Sequence, residues 1–217
     1  EVIQWMSKAN FRTLNIGLES FSQGVLDEIG KRCDAKRIHP TLALLKQYNI
    51  RAYCNIILST PQSTLEDVEC TLDNMMEYLA DDFYQAGVVP AIYPLKGTEF
   101  YEMYWDYKSH VVQIPGTNHY LRRDDYIFAE DPLMREFQVR YIEGMDAAVD
   151  QFIEEQNVRH ANSATLALMK CRFAKKLIAE IRDEDARGAL TRKRADTAGA
   201  GSARSEKRKQ GYRSPRV

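Results

Sequence analysis

Arg51-Ala-Tyr-Cys-Asn-Ile-Ile-Leu58, followed closely by Ser63-Thr-Leu-Glu66, is the stretch on which the fold turns. The first part is a continuous, mostly apolar run of strand length, the pattern of a parallel strand covered on both faces. The second opens a helix: Ser63 and Glu66 match the spacing of a capping box, and Leu65, Val68, Leu72, Met75, Met76 and Leu79 then recur on one helical face. Upstream, Arg12 to Glu19 alternates as a strand, with Leu14, Ile16 and Leu18 on one side. Ser22 is placed to cap a short helix carrying Val25, Leu26 and Ile29. A second helical stretch holds Ile38, Leu42 and Leu45, and Pro40 fixes its start nearby. Downstream, Ala86 to Ile92 is a third strand, with Pro90 marking an edge or a break in the ladder. Strand, helix, strand, helix, strand calls for an α/β fold with a parallel sheet and right-handed crossovers.

Beyond residue 105 the pattern changes. Residues 106–130 are polar and aromatic, with Pro115-Gly116 and Arg122-Arg-Asp-Asp125 suggesting loops. Asp131-Pro132 is a cap followed by proline at the first helical position, and Leu133, Phe137, Tyr141, Met145, Ala148 and Phe152 stripe the helix that follows. A further helix is expected from about Asn162 to Arg187, so that residues 131–190 form a helical appendage. From Arg192 onward there are nine Lys or Arg against Asp196 and Glu206, a net +7; with −1 for the whole chain, the preceding part carries −8. Residues 191–217 read as a disordered basic tail, either simply solvated or able to hold nucleic acid.

A chain of 217 residues with 44% hydrophobic residues can bury one sizeable core. No run approaches the ~20 apolar residues of a membrane helix, and no signal-peptide pattern stands at the N-terminus, so a cytoplasmic location without membrane partners is the expectation. The first residues, Glu1-Val-Ile-Gln-Trp-Met-Ser-Lys8, are helix-like and lack an initiator Met, which suggests a piece of something longer. Cys33, Cys54, Cys70 and Cys171 are too dispersed for a short metal-ligand spacing, as are His39, His110, His119 and His160, and no metal site of the chain's own is expected.

In parallel α/β folds ligands sit at the carboxyl ends of the strands. Three such ends are legible: Gly17-Leu-Glu-Ser20, Ser59-Thr-Pro-Gln-Ser63 and Tyr93-Pro-Leu-Lys-Gly-Thr98. Glu19 and Ser20 pair a carboxylate acceptor with a hydroxyl, a combination suited to a diol or an ammonium group; the alternative is a strand-end Glu beside a helix-start Ser. Ile57 and Leu58 could press on a flat apolar ring, unless the segment is a plain strand-helix turn. Backbone near Pro90 and Pro94 is free to read a heterocycle edge.

Taken in order, Gly17-Leu-Glu-Ser-Phe-Ser-Gln-Gly-Val-Leu-Asp-Glu-Ile-Gly-Lys31, Ile56-Ile-Leu-Ser-Thr-Pro61 with Leu65-Glu-Asp67, and Tyr93-Pro-Leu-Lys-Gly-Thr-Glu-Phe-Tyr-Glu102 resemble the C-terminal half of the radical S-adenosylmethionine enzyme domain, in the variant most similar to members that follow a cobalamin-binding domain. The resemblance implies a partial (β/α) TIM-type barrel over residues 1–105. It implies S-adenosylmethionine as cofactor, with Glu19 and Ser20 at its ribose or methionyl part, Ile57 and Ser59 at the second strand end near adenine, and the backbone from Ala91 to Tyr93 at the adenine edge. It also implies a [4Fe-4S] cluster, a small-molecule substrate, and cobalamin as a further candidate for methyl transfer or rearrangement. Ser59 stands where a Gly is usual, and Ser63 where an acidic residue is usual. The family's C-x-x-x-C-x-x-C is not in this chain, which implies an upstream cluster-bearing half, a partner chain that carries it, or a non-redox relative. The rival reading is a non-catalytic binding or assembly module that uses the basic tail.

Overall fold

In a computed structural model of the chain, residues 1–81, 83–104, 111–113, 120–122, 126–155 and 163–210 are described, with the backbone alone for 111, 112, 120–122 and 190–210. Strands β1 (Thr13–Glu19), β2 (Arg51–Ile57) and β3 (Tyr84–Val89) form a parallel sheet in the order β1-β2-β3. The sheet is open; it is not a closed barrel. Helix α1 (Val2–Lys8) leads into β1, α2 (Gln23–Glu28) and α3 (Ile38–Gln47) connect β1 to β2, and α4 (Leu65–Leu79) connects β2 to β3. Leu18, Leu42, Cys54, Ile56, Met75, Leu79 and Ala86 surround one small void, so α3 and α4 cover the same face of the sheet. Right-handed crossovers between sequential neighbours require that arrangement.

The opposite face is open. Along β2, Ala52, Cys54 and Ile56 are buried, while Arg51 and Asn55 are exposed and Tyr53 and Ile57 half-buried. The strand expected to be covered on both sides is therefore covered on one. The polar residues at alternate positions of the apolar run, Arg51, Tyr53 and Asn55, carried that information. β3 repeats the pattern, with Tyr84, Ala86 and Val88 buried and Val89 exposed. Pro90 follows the last paired residue of β3 instead of interrupting it, which spares the ladder a missing donor.

Helix α4 starts one residue later than its sequence suggests. Thr64 is the N-cap, its hydroxyl accepting from the Asp67 amide at 3.3 Å while the Asp67 carboxylate accepts from the Thr64 amide at 2.9 Å. Ser63 is instead buried, accepting from the Thr60 amide at 2.8 Å. Likewise Ser22 sits at the N-cap position of α2, but its hydroxyl donates to Asp67 at 2.5 Å and caps nothing. Ser63 closes the turn before the helix, while Ser22 reaches across to another element.

After β3 come α5 (Glu99–Tyr104) and an antiparallel pair, β4 (Val111–Gln113) with β5 (Tyr120–Arg122), where loops were expected. Val111-Val112 and Tyr120 suit strands better than the polar average around them. Pro115-Gly116 and residues 123–125 lie outside the described residues. Ile127, Phe128 and Ala129 are almost wholly buried. Helix α6 (Pro132–Glu155) begins as its sequence reads, with Asp131 accepting from the Met134 amide at 2.8 Å. The compact unit runs from Glu1 to Ile178 and so takes in α6 and the start of α7 (Ser163–Gln210) along with the sheet. Residues 179–217 form a second unit, helical through Gln210. A disordered basic tail was expected over residues 191–217, and the described backbone is helical through Gln210.

Within the first unit, the aromatic rings of Phe137, Tyr141 and Phe173 follow one another at 5.6 and 5.9 Å. The Tyr141 hydroxyl is buried with no hydrogen-bond partner among the described residues, and burial pushes its ionisation well above the usual tyrosine range. An unpaired buried hydroxyl costs about 1–3 kcal/mol. Tyr141→Phe is expected to stabilise the chain by about 1 kcal/mol in chemical denaturation, with the aromatic packing retained. Thr64→Ala, which removes the capping box, is expected to cost about 1 kcal/mol by the same measurement.

Candidate functional site

The carboxyl ends of the three strands lie along one edge of the sheet, and each is built differently. β1 ends in a bulge: Gly17 pairs with Asn55, but Glu19, not Leu18, pairs with Ile56, and Glu19 has a φ of 69°. That left-handed backbone is costly for a non-glycine residue. The Glu19 carboxylate accepts from the Lys31 ammonium at 3.2 Å. A Cβ on Gly17 would stand 2.5 Å from Glu19 Oε1 and 3.0 Å from Lys31 Nζ, so the pair lies directly over this glycine.

Ser20 turns the other way. Its hydroxyl is buried, 2.8 Å from Thr71 Oγ1, and accepts from the Ser22 amide at 3.0 Å. The Phe21 amide also donates to Thr71 Oγ1, at 3.2 Å. With the Ser22 to Asp67 bond, these contacts fasten the exit of β1 onto α4. Of the sequence-predicted pair, Glu19 is displayed and Ser20 shapes the turn behind it.

Past β2, Ser59 is fully buried, its hydroxyl donating to the Pro90 carbonyl at 2.7 Å and accepting from the Gln138 side-chain amide at 2.6 Å. Gln138 Oε1 accepts from the Ala129 amide at 2.7 Å. The Ile92 amide donates to the Ser59 carbonyl at 2.9 Å, and the Ile92 carbonyl accepts from the Ile127 amide at 3.4 Å. Ser59 therefore knits the β2 end, the β3 end and α6 together, with no hydroxyl left for a ligand. Ala91 is fully buried, while Ile57 is half-buried beside Val89 and Tyr93 is 56% exposed. The backbone groups of Ile92 are committed within the chain. Glu19, Ile57 and Tyr93 are the predicted residues with side chains open to a ligand; Ser20, Ser59 and Ala91 are support.

A second polar cluster stands at the same edge. Glu28, the last residue of α2, accepts from the Thr60 hydroxyl, from the Gln62 amide at 3.2 Å, and from the Tyr104 hydroxyl. Burial raises its carboxyl above the ordinary range; the Thr60 and Gln62 bonds pull it back, and Glu130 adds to the rise. In sequence Glu28 looks like a surface residue of a short helix, and only the tertiary fold brings it to the β2 end. Asn15, Tyr53 and Asn55 were also missed; polar residues at alternate positions of two paired strands were the signal.

The four cysteines fall on separate elements. Cys54 and Cys171 are buried, their thiols pushed up to about 11 and about 12 by burial, and Cys33 and Cys70 are exposed. Among the described residues no group of three or more His, Cys, Asp or Glu side chains is placed to hold a metal ion. No helix among the described residues is long and apolar enough to cross a membrane. No family model matches the chain, and no curated protein matches it.

Because the Glu28 carboxyl is raised in the fold, the folded state binds its proton more tightly than the unfolded one. Its contribution to stability is greatest below the ordinary carboxylate range and falls as pH rises through the raised value. Comparing denaturation of the wild type and Glu28→Gln across that window is expected to show the variant gaining on the wild type as pH rises.

Proposed function

We propose that this chain is the C-terminal portion of a radical S-adenosylmethionine-type enzyme barrel, its strand ends forming one wall of the nucleotide-cofactor site. The observation that carries the reading is the Glu19 carboxylate held over Gly17 at the carboxyl end of the first of three parallel strands. The sequential order β1-β2-β3 supports the barrel part, because a doubly wound sheet reverses direction at its binding crevice whereas a barrel adds each strand beside the last.

The fit to S-adenosylmethionine narrows to Glu19 for a hydroxyl or ammonium group, Ile57 for an apolar ring face, and the exposed Tyr93 region beside it. Ser20, Ser59 and Ala91 hold the backbone that presents them. When bound, the cofactor and its cluster supply radical chemistry; this chain contributes binding and orientation. The cluster ligands, and cobalamin if it is used, belong to residues upstream or on another polypeptide.

The test is the complete gene product, reconstituted with iron and sulfide and assayed for 5′-deoxyadenosine. The expected result is release of that product, with Glu19→Gln weakening S-adenosylmethionine about 10- to 100-fold, as for loss of a hydrogen bond to a charged group. No product from a preparation containing an intact cysteine triplet overturns the reading.

A further inference from the structure

The face of the sheet turned away from the helices carries a polar surface that begins at Glu19 of the cofactor wall and extends beyond it across β2 and β3. The register sets its residues in two rows: Asn15, Tyr53 and Gln85 in one, and Gly17, Asn55 and Gly87 in the next. Asn15 and Asn55 are exposed, and Tyr53, Gly17 and Gly87 half-buried. Asn55 Nδ2 donates to Asn15 Oδ1 at 2.9 Å, which fixes both carboxamides and leaves Asn55 Oδ1 as an acceptor and Asn15 Nδ2 as a donor. A Cβ on Gly87 would stand 2.8 Å from the Tyr53 hydroxyl oxygen, so the phenol lies over this glycine. The Tyr53 hydroxyl makes no hydrogen bond to another described residue. At the other end of the row the Glu19–Lys31 pair lies over Gly17.

A face that merely meets water has no need of these glycines. Glycine inside a strand is unfavourable, and here both positions clear the space into which polar side-chain ends are laid flat. The result is a row of about 10 Å, two interstrand spacings, with a carboxylate and an ammonium at one end, a carboxamide in the middle and a phenol at the other end. An apolar molecule on it would leave these groups unpaired. A net anion meets Glu19, and a net cation meets Lys31. Hydroxyl groups donate and accept at once, and so can satisfy the carboxylate, carboxamide oxygen, ammonium and phenol together.

We propose that the row Gly17–Asn55–Gly87 is the recognition surface for a neutral, polyhydroxylated small molecule, bound by Tyr53, Asn55, Asn15 and the Glu19–Lys31 pair. The inference names the substrate class for the site proposed above and rests on that reading only in calling this ligand the substrate. The test is a nuclear magnetic resonance titration of the full chain with methyl α-D-glucopyranoside, following the side-chain amides of Asn15 and Asn55, with glucose 6-phosphate and cyclohexanol as comparators. Saturable shifts with the glucoside are expected, absent with cyclohexanol and weaker with the phosphate, and Tyr53→Phe is expected to weaken binding about fivefold while leaving the rest of the spectrum unchanged. No saturable shift, an equal response to cyclohexanol or the phosphate, or indifference to Tyr53→Phe overturns the proposal. Failure of the cofactor reading shows separately, as absence of 5′-deoxyadenosine, since the amide shifts report on the glucoside alone.

Discussion

The buried hydroxyl of Ser59 holds the strand ends in register with the helix that backs them. It donates to the carbonyl after β3 and accepts from Gln138 on α6, and Gln138 in turn anchors the segment leading into that helix. In this low-dielectric setting each partner satisfies another, so removing one leaves several polar groups unpaired. A glycine at this position would allow the same turn but would have no side chain to tie it to α6. The serine thus exchanges room beside the backbone for cohesion among three elements. The segment displayed at the ends of β2 and β3, from Ile57 to Tyr93, depends on that edge staying where these bonds put it.

The first strand end relies on a related device. α4 receives the Ser20–Phe21–Ser22 corner through Thr71 and Asp67, and Asp67 also closes the capping box of the helix. One carboxylate therefore caps a helix and fastens a turn. The left-handed φ at Glu19 is tolerable because both sides of it are pinned, by the β1–β2 ladder before it and by this corner after it. Backbone strain is thereby converted into the placement of one carboxylate.

Much of this was legible in the sequence. Leu14, Leu18, Leu42, Leu45, Leu72 and Asp131-Pro132 mark local periodicities and caps, and such signals survive folding because they depend on near neighbours. Less legible were features decided by competition between near neighbours or by distant residues. Thr64 displaced Ser63 as cap because Ser63 was drawn into the Thr60 turn, and Ser22 abandoned its own helix for Asp67. The open side of β2 was written in Tyr53 and Asn55, yet an apolar run outweighs two polar residues until its neighbours are known. Glu19 was recognisable as a polar group at a strand end. Nothing local distinguishes it from Ser20, whose burial follows from Thr71 fifty-one residues away.

The open sheet also divides the chain's freedom to change. Its strands happen to run in phase, so that residues 14, 16, 18, 52, 54, 56, 84, 86 and 88 face the helices and the odd-numbered residues between them face outward. Heritable variation at the even positions is judged by whether the core still closes. At the odd positions it is judged by what the surface can hold. A lineage carrying this fold can therefore explore new ligands along one set of positions without renegotiating the packing along the other, and chemistry and stability can drift almost independently within the same three strands.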